Sequence, residues 1–100
     1  MEFPATVSGM MPVSATTDRL YFAAQEAFRA WCREHGFRFP APHEAVAAYL
    51  RHCAKTRGAS AVPVHLSAIA QLYREARRPI DTKSHVIQQV VRVARAKMRR

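Results

Sequence analysis

The chain has 100 residues, 49% hydrophobic and 23% charged, with only three Gly and six Pro; this is one domain with one core, and disordered, collagenous and low-complexity chains are excluded. Sixteen Lys and Arg against seven Asp and Glu give a net charge of +9, which favours a polyanionic partner, nucleic acid first and an acidic membrane surface second. Two cysteines are too few for a disulfide scaffold, and no apolar run approaches the ~20 residues that cross a bilayer.

Residues 1–16 are rich in Ser, Thr, Pro and Met without periodicity and read as a flexible N-terminal arm. Met1–Ala15 lacks a basic n-region and is interrupted by Pro4 and Pro12, so no signal peptide is expected and the chain reads as soluble and cytoplasmic. Residues 17–100 read as one helical domain. Its first helix is expected from about Asp18 to His35, with Thr17 as N-cap and Gly36 as left-handed terminator. At ~100° per residue, Leu20, Tyr21, Ala24, Ala27, Phe28, Trp31 and Cys32 share its inner face, while Arg19, Glu26, Arg29 and Arg33 lie opposite. Phe22 falls on the polar side, as a partner contact, beneath the arm, or as the kind of lone exposed apolar residue that is often neither.

The linker Phe37–Pro42 leads to a second helix, about His43 to Arg57, favoured at its start by Pro42 and stopped by Gly58. Val46, Ala47, Tyr49, Leu50, Cys53 and Ala54 form its core face, with Glu44, Arg51 and Lys55 outward. A third helix, N-capped by Ser60, tolerates Pro63 in its first turn and ends before Pro79. Its apolar stripe is Val62, Leu66, Ile69, Leu72, Tyr73 and Ala76. A fourth helix, capped by Thr82, runs from about Lys83 to the C-terminus. Val86, Ile87, Val90, Val91, Ala94 and Met98 form its core arc, opposite His85, Gln88, Arg92, Arg95 and Arg99. Four amphipathic helices with short connections make a compact all-α bundle.

Cys32 and Cys53 sit among apolar residues and read as small buried hydrophobes. Cys32-x-x-His35 and His52-Cys53 contain zinc-ligand types, but both lie within expected helices, where neighbours diverge by ~100°. No metal site, and no cofactor, is implied. His43, His65 and His85 read as solvated surface residues. No side-chain constellation around Tyr21, Tyr49 or Tyr73 prepares a nucleophile, and all three lie on core-facing stripes.

The charge is uneven. Up to Gly58 there are seven basic and five acidic residues, a net +2; beyond it there are nine against two, a net +7. On the outward face of the third helix, Ser67 and Ala68 are small enough for a nucleic-acid groove to approach the backbone. Gln71, Arg74 and Arg78 project beside them, and such side chains pair with bases or hold phosphates. Arg92 and Arg95 mark a basic stripe on the fourth helix. Both faces also fit a solvated surface, and the fourth helix fits a membrane-surface helix less well than a bundle helix.

Thr17, Tyr21, Phe28, Trp31-Cys32, Gly36, Pro40, Val46, Tyr49-Leu50, Gly58, Ser60, Leu66-Ser67-Ala68-Ile69, Arg74-Glu75-Ala76, Pro79 and Thr82 follow one another in a recognisable order. Together they resemble the N-terminal core-binding domain of tyrosine recombinases (phage integrases), a SAM-like helical domain, over Thr17 to about Arg100. The resemblance implies a four-helix SAM-like fold that clamps duplex DNA together with a separate catalytic domain, in DNA integration and recombination. It implies that the first and third helices enter the major groove, through Arg19 and Ala23 and through Ser60, Ala61, Val64, Ser67 and Ala68. It also implies protomer contacts through the last helix and a nucleoid-associated location. Arg77 stands where the family often has Gly, at an expected left-handed cap. Strand cleavage in the family belongs to the catalytic domain, so no catalytic residue is expected here.

The DNA-contacting set expected from charge, helical facing and resemblance together is Arg19, Ser60, Ser67, Gln71, Arg74, Arg78, Lys83, Arg92 and Arg95. A different class of function, a stand-alone helical module that binds or regulates a recombinase through Phe22 and the last helix, fits the same fold. A helix-turn-helix regulator fits less well, for want of a dimerising element.

Overall fold

The computed structural model describes residues 10–98, with side chains from residue 18 onward. Four helices occur, and no strand is found among the described residues: α1 (Met10–Glu34), α2 (His43–Arg57), α3 (Ala61–Glu75) and α4 (His85–Met98). The first nine residues of the expected arm lie outside the described residues. Its remainder is helical, because α1 begins at Met10, so Thr17 is an interior residue and not its N-cap. Pro12 does not prevent this, since it falls in the first turn, where amides lack intrahelical acceptors. The bounds of α2 match the sequence pattern. Ser60 does precede α3, yet its side chain makes no capping hydrogen bond, and its backbone is already helical. α4 starts at His85, not at Lys83. Asp81, not Thr82, organises the approach by accepting the Lys83 N–H at 3.0 Å, while the Thr82 carbonyl accepts from the Gln88 amide at 2.7 Å.

The helices pack out of sequence order: α1 lies mainly on α3, while α2 contacts both α3 and α4. Small residues allow the α1–α3 approach, with Ala24 and Ala68 both buried. There the buried Gln25 Nε2 donates to the Ala68 carbonyl at 2.9 Å. Phe28, Tyr49, Leu50, Ile69, Ile87, Val46, Val62 and Cys53 are completely enclosed. Each large apolar side chain of this kind contributes about 1.5–3 kcal/mol by burial.

Aromatic rings bind the first three helices together. Phe28 meets Tyr49 edge-on at 5.2 Å between centroids, Trp31 meets Tyr49 at 5.6 Å, and Phe39 meets Tyr73 at 4.8 Å. The Tyr73 hydroxyl accepts the Ala41 N–H at 2.9 Å and donates to the Ala41 carbonyl at 2.8 Å, clasping the α1–α2 linker to α3. Burial raises the Tyr73 pKa to about 12, so the hydroxyl keeps its proton for that second bond.

Several expected core and surface assignments change. Leu20 is 58% exposed, and Ala76 and Met98 are also exposed, because α3 turns away before Ala76 and nothing covers the end of α4 among the described residues. His65 is not a surface histidine; it is 6% exposed, and its Nδ1 shares a hydrogen bond with the Tyr49 hydroxyl at 3.1 Å. No described helix is long and apolar enough to cross a membrane.

Candidate nucleic-acid interface

At ~100° per residue, Ser60, Val64, Ser67, Gln71 and Arg74 fall within one narrow arc of α3. All are exposed except Gln71, which is half-buried. Beside this stripe runs a groove of about 340 Å³, walled by Tyr21 from α1, by Leu66, Ser67, Ala70 and Arg74 from α3, and by Thr82 from the following linker. The fold therefore brings Ser67 and Arg74 to one concavity. Lys83 is exposed immediately after Thr82, and Arg19 is exposed on α1 two residues before Tyr21. Arg78 is exposed just beyond α3.

Ala68 does not belong to this surface. It is fully buried at the α1–α3 crossing, so its small size serves helix packing and not the approach of a groove. Ala61 is half-buried, while Ala23 and Val64 are exposed. Gln71 shares one of its two amide N–H groups with a neighbour, its Nε2 donating to Glu75 Oε2 at 3.1 Å. Its second N–H and its carbonyl oxygen stay available, one donor and one acceptor. Glu75 also places a negative charge at the edge of the stripe.

Arg92 and Arg95 are exposed, yet neither lines the α3 groove. Arg92 lines a separate cleft of about 590 Å³ between α2 and α4, together with Arg51, Lys55 and Lys97. The sequence marks Arg51 and Lys55 as outward residues four apart on one helix. It does not reveal that α4 packs beside them, which is what joins the four cations. A third cleft, of about 400 Å³, gathers Arg29, Arg33 and Arg38 around Phe37 and Phe39. There Arg29 is already engaged, lying 5.3 Å over the Phe39 ring and 3.9 Å from Glu26.

The buried titratable groups serve packing. Burial pushes the Cys32 and Cys53 thiols up, so both are held as neutral thiols, and neither forms a disulfide. Burial, assisted by the positive charge of Arg57, lowers the His65 pKa, which favours the neutral imidazole in its hydrogen bond with Tyr49. Burial likewise raises the Tyr49 pKa. No group of three or more His, Cys, Asp or Glu side chains converges among the described residues.

No protein-family model matches the chain, and no curated protein matches it in sequence.

Proposed function

We propose that this chain is a non-catalytic, duplex-DNA-binding helical domain of the tyrosine-recombinase core-binding type. The α3 stripe is the primary contact. The observation that carries this reading is the row of exposed Ser60, Val64, Ser67 and Arg74, with half-buried Gln71 among them, beside a concavity shared with α1 and the α3–α4 linker. It stands on a chain whose net charge is +9. Arg74, Arg78, Lys83 and Arg19 supply phosphate contacts, and Ser60 and Ser67 supply small hydroxyl donors where the backbone meets the groove. With one of the two Gln71 N–H groups shared with Glu75 and the apolar Val64 in mid-stripe, the surface favours backbone contact over base reading. Affinity for duplex DNA is then non-specific in scale, about 10⁻⁴–10⁻⁶ M at physiological salt.

The test is fluorescence anisotropy of the full chain with a labelled duplex of about 20 base pairs at several salt concentrations. Saturable binding that weakens linearly with the logarithm of salt supports the reading. Absence of binding at low salt overturns it and favours the protein-interaction module. That second reading would engage a partner through Phe22, which is 65% exposed on α1.

A further inference from the structure

We propose that the cleft between α2 and α4 is a docking site for an amphipathic helix of a partner protein, with acidic side chains flanking its apolar face. This inference stands independently of the DNA reading, because the two surfaces share no lining residue.

The cleft combines two features that a purely solvated face does not need. Its floor is apolar, formed by Ala54 of α2 and by Val90, Val93 and Ala94 of α4. Val93 is 57% exposed, although Val90 and Val91 on the same helix are buried. Around that floor stand Arg51, Lys55, Arg92 and Lys97, and no acidic side chain among the described residues lines the cleft. An occupant therefore has to supply both apolar surface and negative charge.

Dimensions narrow the choice. The α4 wall from Gln89 to Lys97 extends about 12 Å at 1.5 Å per residue, a little over two turns. An incoming helix with apolar anchors at i, i+3 or i+4, and i+7 presents them over about 10 Å. Ala54 and Ala94 leave room for large anchors between the two helices, and Arg51 and Lys55, one turn apart, face a row of carboxylates at the same spacing. Duplex DNA satisfies the cations but leaves the apolar floor unfilled. A flat membrane surface does not enter a concave cleft of about 590 Å³. A second copy of the chain is opposed by charge, since each carries +9.

The test uses the full chain, labelled with ¹⁵N, and a synthetic 16-residue peptide with Leu at i, i+3, i+4 and i+7 flanked by Glu. A control peptide of identical composition has its periodicity scrambled. The periodic peptide is expected to bind at least tenfold more tightly by anisotropy, with amide shifts concentrated in residues 51–55 and 89–97. Val93→Glu is expected to weaken that binding at least tenfold without loss of helical circular dichroism, since the side chain is largely in solvent. The paired change Arg51→Glu with Lys55→Glu reports the same loss from the opposite wall. Equal binding of both peptides, no binding of either, shifts centred on the α3 stripe, or parental affinity in both variants overturns the proposal. So does stronger engagement of Val93 by phosphatidylserine-containing vesicles or by duplex DNA than by the peptide, which assigns the face to a lipid surface or to nucleic acid.

Discussion

Arg77 is held at φ +60° by the way α3 ends. The Arg78 N–H bonds back to the Tyr73 carbonyl at 2.9 Å and the Arg77 N–H to the Arg74 carbonyl at 3.0 Å, a closure that needs a left-handed residue between them. The same closure ends α1, where the Phe37 N–H bonds to the Cys32 carbonyl at 2.8 Å and Gly36 takes the left-handed position at φ +78°. Glycine accepts that conformation freely, whereas a side chain bears a cost of about 1–2 kcal/mol. Arg77→Gly is therefore expected to stabilise the fold by about 0.5–1 kcal/mol, after the greater freedom of glycine in the unfolded chain is subtracted. Urea denaturation checks this, and equal or lower stability contradicts the strain assignment. A second prediction at this scale concerns pH. The folded pKa of His65 lies below 6.5, so between that value and 6.5 the unfolded chain binds a proton that the folded chain refuses. Stability is fully present above 6.5 and falls as the pH is lowered through that window, by at most about 1.36 kcal/mol per unit for one proton. Cys32 and Cys53 act at the other end. Their thiols are raised above 9.0, so stability declines as the pH rises past that value. Denaturation midpoints measured from about pH 5 to 10 should trace a plateau between these limits, and His65→Gln should flatten its acid side.

Helix α3 carries two tasks on opposite faces, and the division of labour decides which substitutions report on function. Its inner residues Val62, Ile69, Leu72 and Tyr73 hold the bundle, so their loss unfolds the site along with the fold. Arg74 and Arg78 are exposed, so replacing both by Glu leaves the core intact while reversing one charge on the stripe and one just beyond the end of α3. Duplex affinity should fall at least tenfold at low salt, with a salt slope reduced by about 0.9 for each phosphate that is no longer neutralised. Unchanged affinity in a folded double variant removes α3 from the interface. Much of this element is legible in the sequence: the apolar repeat from Val62 to Tyr73 reads directly as a helical face, and the α2 bounds follow from Pro42 and Gly58. Periodicity also identifies Ser67 and Arg74 as outward. It cannot separate Ala68 from Ser67, because alanine is neutral to burial and only the α1 crossing decides its side. The burial of His65 is equally hidden, since its polar ring enters the core only because Tyr49 supplies a partner from another helix.

Across the whole molecule, the order of packing determines how the positive charge is distributed. Because α2 packs on α4 while α1 packs on α3, Arg92 joins Arg51 and Lys55 in one cleft, and Arg74 joins Ser67 and Tyr21 in another. The split of +2 and +7 along the sequence does not reveal this, since it assigns Arg74 and Arg92 to the same half. If DNA engages the α3 stripe, Arg92 and Arg95 act on it through the general field, which is screened over about 10 Å at 0.1 M salt. Arg92→Glu with Arg95→Glu should then reduce duplex affinity by no more than about threefold at 0.1 M salt, against the tenfold or greater loss from Arg74→Glu with Arg78→Glu. The two double variants change net charge equally, so their comparison cancels the non-specific effect of lowering +9. Effects at surfaces without shared partners should also add when all four substitutions are combined. Equal losses from the two double variants, measured in parallel anisotropy titrations, would instead require DNA to engage α4 directly.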